Sequence, residues 1–373
     1  MAHGETIHAG RIRFLDALRG LAAVWVVLCH MVFIPKPNLL TPDWASSWVR
    51  VGWMGVTFFF LFTGFSICYT LKSRQMEERP YLSFYIRRFF RVAPLFYLLL
   101  IVIIIKNPYS HSSLEIAANV LLLFNLLPGW QVGIVWASWY IGVLIFMYLL
   151  SPLVYKYFNN IWKAAIFIIL SMMMFYSFKY LMKYIPFDYE TYFKWSFVRY
   201  LPIFAAGVFV YYILEKVPSY PFRCKRSIGL LLIGASLLLF VELVFKRLFL
   251  LDQYHWQAII FSMFIIGVAI NPLRIIVNDY TSYLGKISLF LYLCHPILII
   301  LLIPLYRQIY EWPLPLSVQY LIIVCITLTL LICISFLTYR FVEEPCVGFG
   351  KKWLDSRKQP NQRSELNPAS LNT

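Results

Sequence analysis

The stretch RFLDALRGLAAVWVVLCHMVFI, residues 13–34, decides how this chain reads. It is long enough for one membrane crossing, which takes about 20 mostly apolar residues, yet it carries Asp16, Arg19 and His30. A charge inside a bilayer costs about 2.5–3.5 kcal/mol on insertion scales, so an ionisable group kept there points to function. The spacing of Arg19 and His30, at about 100° per residue, returns them to nearly one helix face. A rise of ~1.5 Å per residue sets them roughly 16 Å apart along it. Asp16 lies one turn before Arg19 on the same stripe, and Gly20, Ala22 and Ala23 beside it let another helix approach closely. An interfacial Asp16–Arg19 pair with a packed, hydrogen-bonded His30 is the alternative reading of the same residues.

Outward from this segment the chain keeps the same character. Its 373 residues are 61% hydrophobic and 19% aromatic with 13% charged, against about 25% charged in soluble domains, and its mean hydropathy is +0.71. That excludes a water-soluble enzyme, and also a disordered chain, which needs low hydrophobicity. Spans are expected at 14–34, 51–71, 92–106, 134–155, 162–182, 195–215, 228–246, 256–274, 287–309 and 319–339. The 92–106 run is short, and Tyr85–Arg91 extends it as helix into the cytoplasm. The apolar piece 114–128 stops at Pro128-Gly129 and is too short to cross, so it is expected to be re-entrant or interfacial on the outer face. The expected fold is an all-α integral membrane protein of about ten transmembrane helices. It forms a single transmembrane domain over 1–350, with a polar, disordered cytoplasmic tail over 351–373.

The net charge of +16 does not argue for nucleic acid, because the Lys and Arg sit between apolar runs. There they read as topology, an excess on the cytoplasmic side. With both termini cytoplasmic, 23 of the 33 Lys and Arg fall on that side, a bias that shrinks if 114–128 crosses. The 7 cysteines are scattered without a CxxC, which supports neither a metal site nor a disulfide framework. The first apolar run, with its two charges and no small-residue cleavage pattern, does not read as a cleavable signal peptide.

Two further segments carry chemistry. In YIRRFFRVAP (85–94), Arg88 and Arg91 project from one helix face at the cytoplasmic mouth. Two guanidiniums so spaced suit a diphosphate, although an RxxR alone also reads as positive-inside anchoring. In ISLFLYLCHPILII (287–300), Ser288, Tyr292 and His295 share a face and serve equally as a catalytic set or an interhelical hydrogen-bonding strip. From the start of that apolar run, His295 is about 12 Å into the membrane while His30 is about 24 Å in, so the two imidazoles are expected at different levels. Glu242 and Lys246 are expected to pair at an outer helix end, and His255 to be solvated in an outer loop beside Asp252. Lys194 and Arg199 face the outer side, where an anionic acceptor or simple snorkelling accounts for them.

Taken in order, these motifs resemble the membrane acyltransferase-3 family, which contains bacterial polysaccharide and lipopolysaccharide O-acetyltransferases. The likeness covers about residues 11–350. Arg19 and His30 match the family's Arg-x10-His. GVTFFFLFTGF (55–65) resembles GVxFFFxxSGF with Thr63 for Ser, and Arg88 and Arg91 match the RxxR. Ser288, Tyr292 and His295 match a late Ser-Tyr-His segment, and YRFVEEP (339–345) places the closing Glu at Glu343. One motif departs: where many members read WSLSVEEQFY, this chain reads WYIGVLIFMY (139–148), keeping Trp139 but no acidic residue.

The resemblance implies an acetyl-CoA-dependent O-acyltransferase without a metal. His30 is then the catalytic imidazole, deprotonating an acceptor hydroxyl or carrying the acyl group as acyl-imidazole. Arg19, paired with Asp16, guides the cofactor arm or polarises the thioester carbonyl, and Arg88 and Arg91 hold the phosphates of cytoplasmic acyl-CoA. Ser288, Tyr292, His295, Trp139 and Glu343 are further site candidates. The expected reaction moves an acetyl group to a lipid-linked or surface glycan such as lipopolysaccharide O-antigen, at the bacterial inner membrane. Membrane lipids are the other partners. Succinyl-CoA as donor and a macrolide or other small acceptor are alternatives within the class. A flippase of polysaccharide intermediates is the alternative outside it, and would carry repeats or paired broken helices, which the sequence does not display.

Overall fold

The computed structural model describes residues 12–185, 188–217 and 222–357. Ten helical stretches among them are long and apolar enough to cross a membrane, and no strand occurs among the described residues. In chain order the helices are α1 (Arg13–Phe33), α2 (Asp43–Arg50), α3 (Gly55–Ser73), α4 (Pro80–Lys106), α5 (Ser113–Val120), α6 (Trp139–Tyr157) and α7 (Ile161–Leu181). They continue with α8 (Tyr189–Trp195), α9 (Phe197–Lys216), α10 (Phe222–Val244), α11 (Gln253–Ile270), α12 (Asp279–Tyr310), α13 (Leu316–Thr338) and α14 (Glu344–Ser356). The protein is an all-α integral membrane protein.

Local chemistry explains the bounds. Pro80 opens α4, which then runs 27 residues to Lys106, so the charged YIRRFFR turn is continuous with the short apolar run. Helix α5 has 8 residues and a Ser112 cap whose hydroxyl accepts from the Glu115 amide. At about 12 Å long it is too short to cross, and the 114–128 segment is not among the ten stretches fit to span a membrane. Helix α14 continues to Ser356, past the boundary expected at 350, while the tail from 358 onward lies outside the described residues. Glu242 does not pair with Lys246: α10 ends at Val244 and Lys246 turns into the left-handed region, φ 56°. Arg247 is brought round instead, 3.2 Å from the Glu242 carboxylate.

Helix α12 is longer than its apolar run. Asn278 caps it in a reciprocal box with Thr281, which makes the polar turns DYTSYLGK helical from Asp279. Arg13 at the start of α1 donates to Asp279 at 2.6 Å, and Ser282 donates to the Arg13 carbonyl at 3.4 Å. The two helices therefore leave one level together. They stay in backbone contact above it, because a Cβ at Gly285 would overlap the Asp16 carbonyl and one at Gly20 would fall 2.6 Å from the Gly285 nitrogen. Gly64 of α3 and Gly207 of α9 make a second such crossing, the small-residue contact that membrane helices use. The α1 and α2–α3 crossings are 72% and 83% buried within the protein, whereas those of α7 and α10 are 22%. The former make the centre of the bundle and the latter its lipid-facing shell.

Candidate active site

The helix start at Asp279 overturns the expected mismatch between the histidines. Counted from Arg13 and Asp279, both imidazoles stand about 25 Å along their helices, and Nε2 of His295 is 3.1 Å from Nδ1 of His30. The earlier level for His295 was too low because an apolar run marks where a span is lipid-like, not where its helix begins. Nδ1 of His30 also lies 3.0 Å from the Val26 carbonyl. A carbonyl only accepts, so Nδ1 carries the proton and Nε2 of His30 carries the lone pair. His295 Nε2 is then a second acceptor for the same N–H, and its own proton sits on Nδ1. The indole of Trp136 packs edge-on against the His30 ring, centroids 5.1 Å apart at 89°. Ring, tautomer and orientation are thus set from three sides.

The two histidines border a cavity of about 380 Å³. Its walls are aromatic, with Trp53, Trp136, Trp139, Trp195, Tyr200 and Tyr254, and its polar groups include Thr57, Lys194 and Gln253. Trp139, kept from the family pattern, is a wall residue. An aromatic chamber with a few polar groups is the usual form of a small-ligand site.

Towards the arginine-bearing ends of the helices lies a second, smaller cavity of about 60 Å³, lined by Arg19, Arg88, Arg91, Tyr140, Tyr148, Ser288 and Tyr292 among others. Segments far apart in sequence therefore converge: the α1 stripe, the RxxR of α4 and the Ser-Tyr face of α12. Arg19 is held by Asp16 at 3.3 Å. Arg88 reaches the Thr70 hydroxyl at 3.4 Å and rests on the rings of Phe84 and Tyr148, 5.4 and 5.2 Å from their centroids. Glu343 is buried, 5% exposed, and is the leading charge partner of Arg91. It sits on a π-helical turn, Tyr339–Glu343, between α13 and α14, a geometry that often marks functional sites. Three guanidiniums face two carboxylates here, a surplus of positive charge that suits an anionic ligand.

The Ser288–Tyr292–His295 strip divides between the chambers. Ser288 lines the inner one, His295 the outer one, and Tyr292 both. Sequence reasoning missed Tyr140 and Tyr148, which line the inner cavity with Leu144 between them. Their i, i+4, i+8 spacing along α6 was the available signal, hidden in a run that is apolar throughout. His255 is not solvated. Asp252 caps α11 through the Tyr254 amide at 3.1 Å, and the first helical turn buries His255 at 3% exposure, with its Nδ1 3.3 Å from the Tyr176 hydroxyl.

A bundle with ten helical stretches fit to cross a membrane thus holds a paired-histidine chamber and a smaller arginine-lined pocket. A family model described as an acyltransferase domain matches residues 12–340, and the chain belongs to that acyltransferase-3 family. Among curated proteins it is similar to the peptidoglycan O-acetyltransferase OatA of Listeria monocytogenes, 32% identical over 109 residues. That stretch is 28% of this chain and 15% of the relative, so the match spans a small part of the relative's length. No solved structure matches the chain.

Proposed function

We propose that this membrane acyltransferase moves an acetyl group from cytoplasmic acetyl-CoA to a hydroxyl of a cell-surface glycan, with lipid-linked lipopolysaccharide O-antigen as the favoured acceptor. It would do so in the bacterial cytoplasmic membrane. The observation that carries the reading is the orientation of His30. Its Nδ1–H is held by Val26 and His295, which leaves the basic Nε2 for the chamber it borders. The O-acetyltransferase relative supports a glycan hydroxyl as acceptor, and the aromatic chamber supports a sugar ring.

In this mechanism the phosphates of CoA lie on Arg88 and Arg91, and the thioester arm passes Arg19 to reach His30. Nε2 takes the proton of the acceptor hydroxyl. The freed oxygen attacks the thioester carbonyl carbon, the C–S bond breaks, and the proton on His30 passes to the departing sulfur. The products are the O-acetyl ester and the CoA thiol. While His30 is an imidazolium, its Nδ1–H points at two acceptors, the Val26 carbonyl and His295 Nε2, which strengthens both hydrogen bonds. His295 thus serves His30 as the third member serves a catalytic triad. Direct transfer accounts for the geometry without a second nucleophile.

The test is to supply [acetyl-14C]acetyl-CoA to purified protein in proteoliposomes, with lipid-linked O-antigen units in one arm and a macrolide in another. Label on the glycan that mild alkali releases as acetate is the expected result. Label on a macrolide and on no glycan would overturn the acceptor assignment.

A further inference from the structure

The inner and outer cavities have one wall residue in common, Tyr292. Its ring meets Phe59 edge-on at 5.5 Å and 82° and Tyr140 at 5.3 Å and 68°. Phe59 and Tyr140 close the triangle at 5.7 Å. The three rings come from α12, α3 and α6, and all are buried, 3%, 5% and 8% exposed. Phe59 and Tyr140 also line the inner cavity, whose 60 Å³ holds a few waters but no extended cofactor arm. Tyr292 stands on a turn with one hydrogen bond fewer than its neighbours, because Pro296, four residues on, has no N–H for the Tyr292 carbonyl.

We propose that Phe59, Tyr140 and Tyr292 form an aromatic partition between donor and acceptor chambers, which parts for the acyl-bearing arm and otherwise keeps water from the thioester. The proposal rests on the acyltransfer reading above. The reaction it suppresses is simple: a water oxygen adds to the thioester carbonyl carbon, the C–S bond breaks, and acetate and the CoA thiol are released. Excluding that competitor is a recognised use of a closed site. The partition residues are positioning residues, since none has to touch the reacting atoms for the effect.

The experiment measures acetyl-CoA hydrolysis and glycan acetylation side by side in proteoliposomes, for wild type, Phe59→Ala, Tyr140→Ala and the space-filling Phe59→Leu. The expected result is a rise of about tenfold or more in the ratio of hydrolysis to transfer for either alanine variant, with Phe59→Leu near wild type. Residues serving only as core packing would lower both rates together. An unchanged ratio in whichever alanine variant folds, with transfer still measurable, would overturn the partition and leave the acyltransfer reading standing. A folded wild type that neither hydrolyses nor transfers from acetyl-CoA would instead overturn that reading, and the partition with it.

Discussion

His295 places Nε2 3.1 Å from Nδ1 of His30, although 265 positions separate the two in sequence. The contact exists because α1 and α12 start from the Arg13–Asp279 pair and pack backbone to backbone at Gly20 and Gly285. With the tautomer of His30 fixed by the Val26 carbonyl, the contact gives its protonated form a second acceptor.

His295→Ala is expected to lower kcat by about 10²–10³-fold, the scale of general-base assistance, with the KM for acetyl-CoA within about twofold. His295→Gln, whose amide oxygen can occupy the position of Nε2, is expected to recover part of the loss. Steady-state kinetics on the two variants decides the point. A kcat unaffected by His295→Ala would reduce the contact to packing.

Gly285→Ala is expected to separate α1 from α12, since its Cβ would overlap the Asp16 carbonyl, a backbone atom that cannot swing aside. Overpacking of this kind costs about 1–3 kcal/mol or more, read as a lowered Tm in detergent and as lost turnover. Gly234→Ala on α10 is the control. Nothing lies within 4 Å of its Cβ, so helix propensity alone predicts a gain of up to about 1 kcal/mol.

Glu77, in the turn between α3 and α4, gives a pH-dependent test outside the spans. Burial acts to raise its pKa, but hydrogen bonds from Ser83 and Arg74 and the charges of Arg74 and Arg87 outweigh burial and hold the carboxyl below its usual value. A depressed carboxyl stabilises the fold above its unfolded pKa of about 4.3, and that contribution is lost as pH falls through the folded value. Solvent screens this surface network, so Glu77→Gln is expected to cost no more than ~1 kcal/mol at pH 7. The Tm difference from wild type should close on acidification below pH ~4. A difference independent of pH would contradict the ionic account.

Much of the fold was legible in the sequence because lipid demands long apolar helices and positive charge marks their cytoplasmic ends. The stripe of Asp16, Arg19 and His30, the extension of α4 through Arg88 and Arg91, and the non-crossing 114–128 segment all follow from period and charge. Helix starts were less legible. The turns from Asp279 to Lys286 are polar, so hydropathy placed the beginning of α12 two turns late and put His295 at the wrong depth. The capping pair Asn278 and Thr281 held the missing information. His255 failed for a related reason, since a polar loop that caps a helix can bury the helix's first turn. Tyr140 and Tyr148 were hidden because hydroxyl-bearing rings do not stand out from an apolar run. Their meeting with Arg19 and Arg88 is a tertiary fact.

The most direct measurement is acetyl-CoA binding and turnover by purified protein in nanodiscs, with wild type beside His30→Ala and Arg88→Ala/Arg91→Ala. Saturable binding is predicted for wild type and for His30→Ala, with turnover abolished in the latter. The double arginine variant should bind at least about tenfold more weakly, since hydrogen bonds to charged groups are worth about 1.5–3 kcal/mol each. Unchanged turnover in His30→Ala, or no binding by a folded wild type, would contradict an acyl transfer centred on His30.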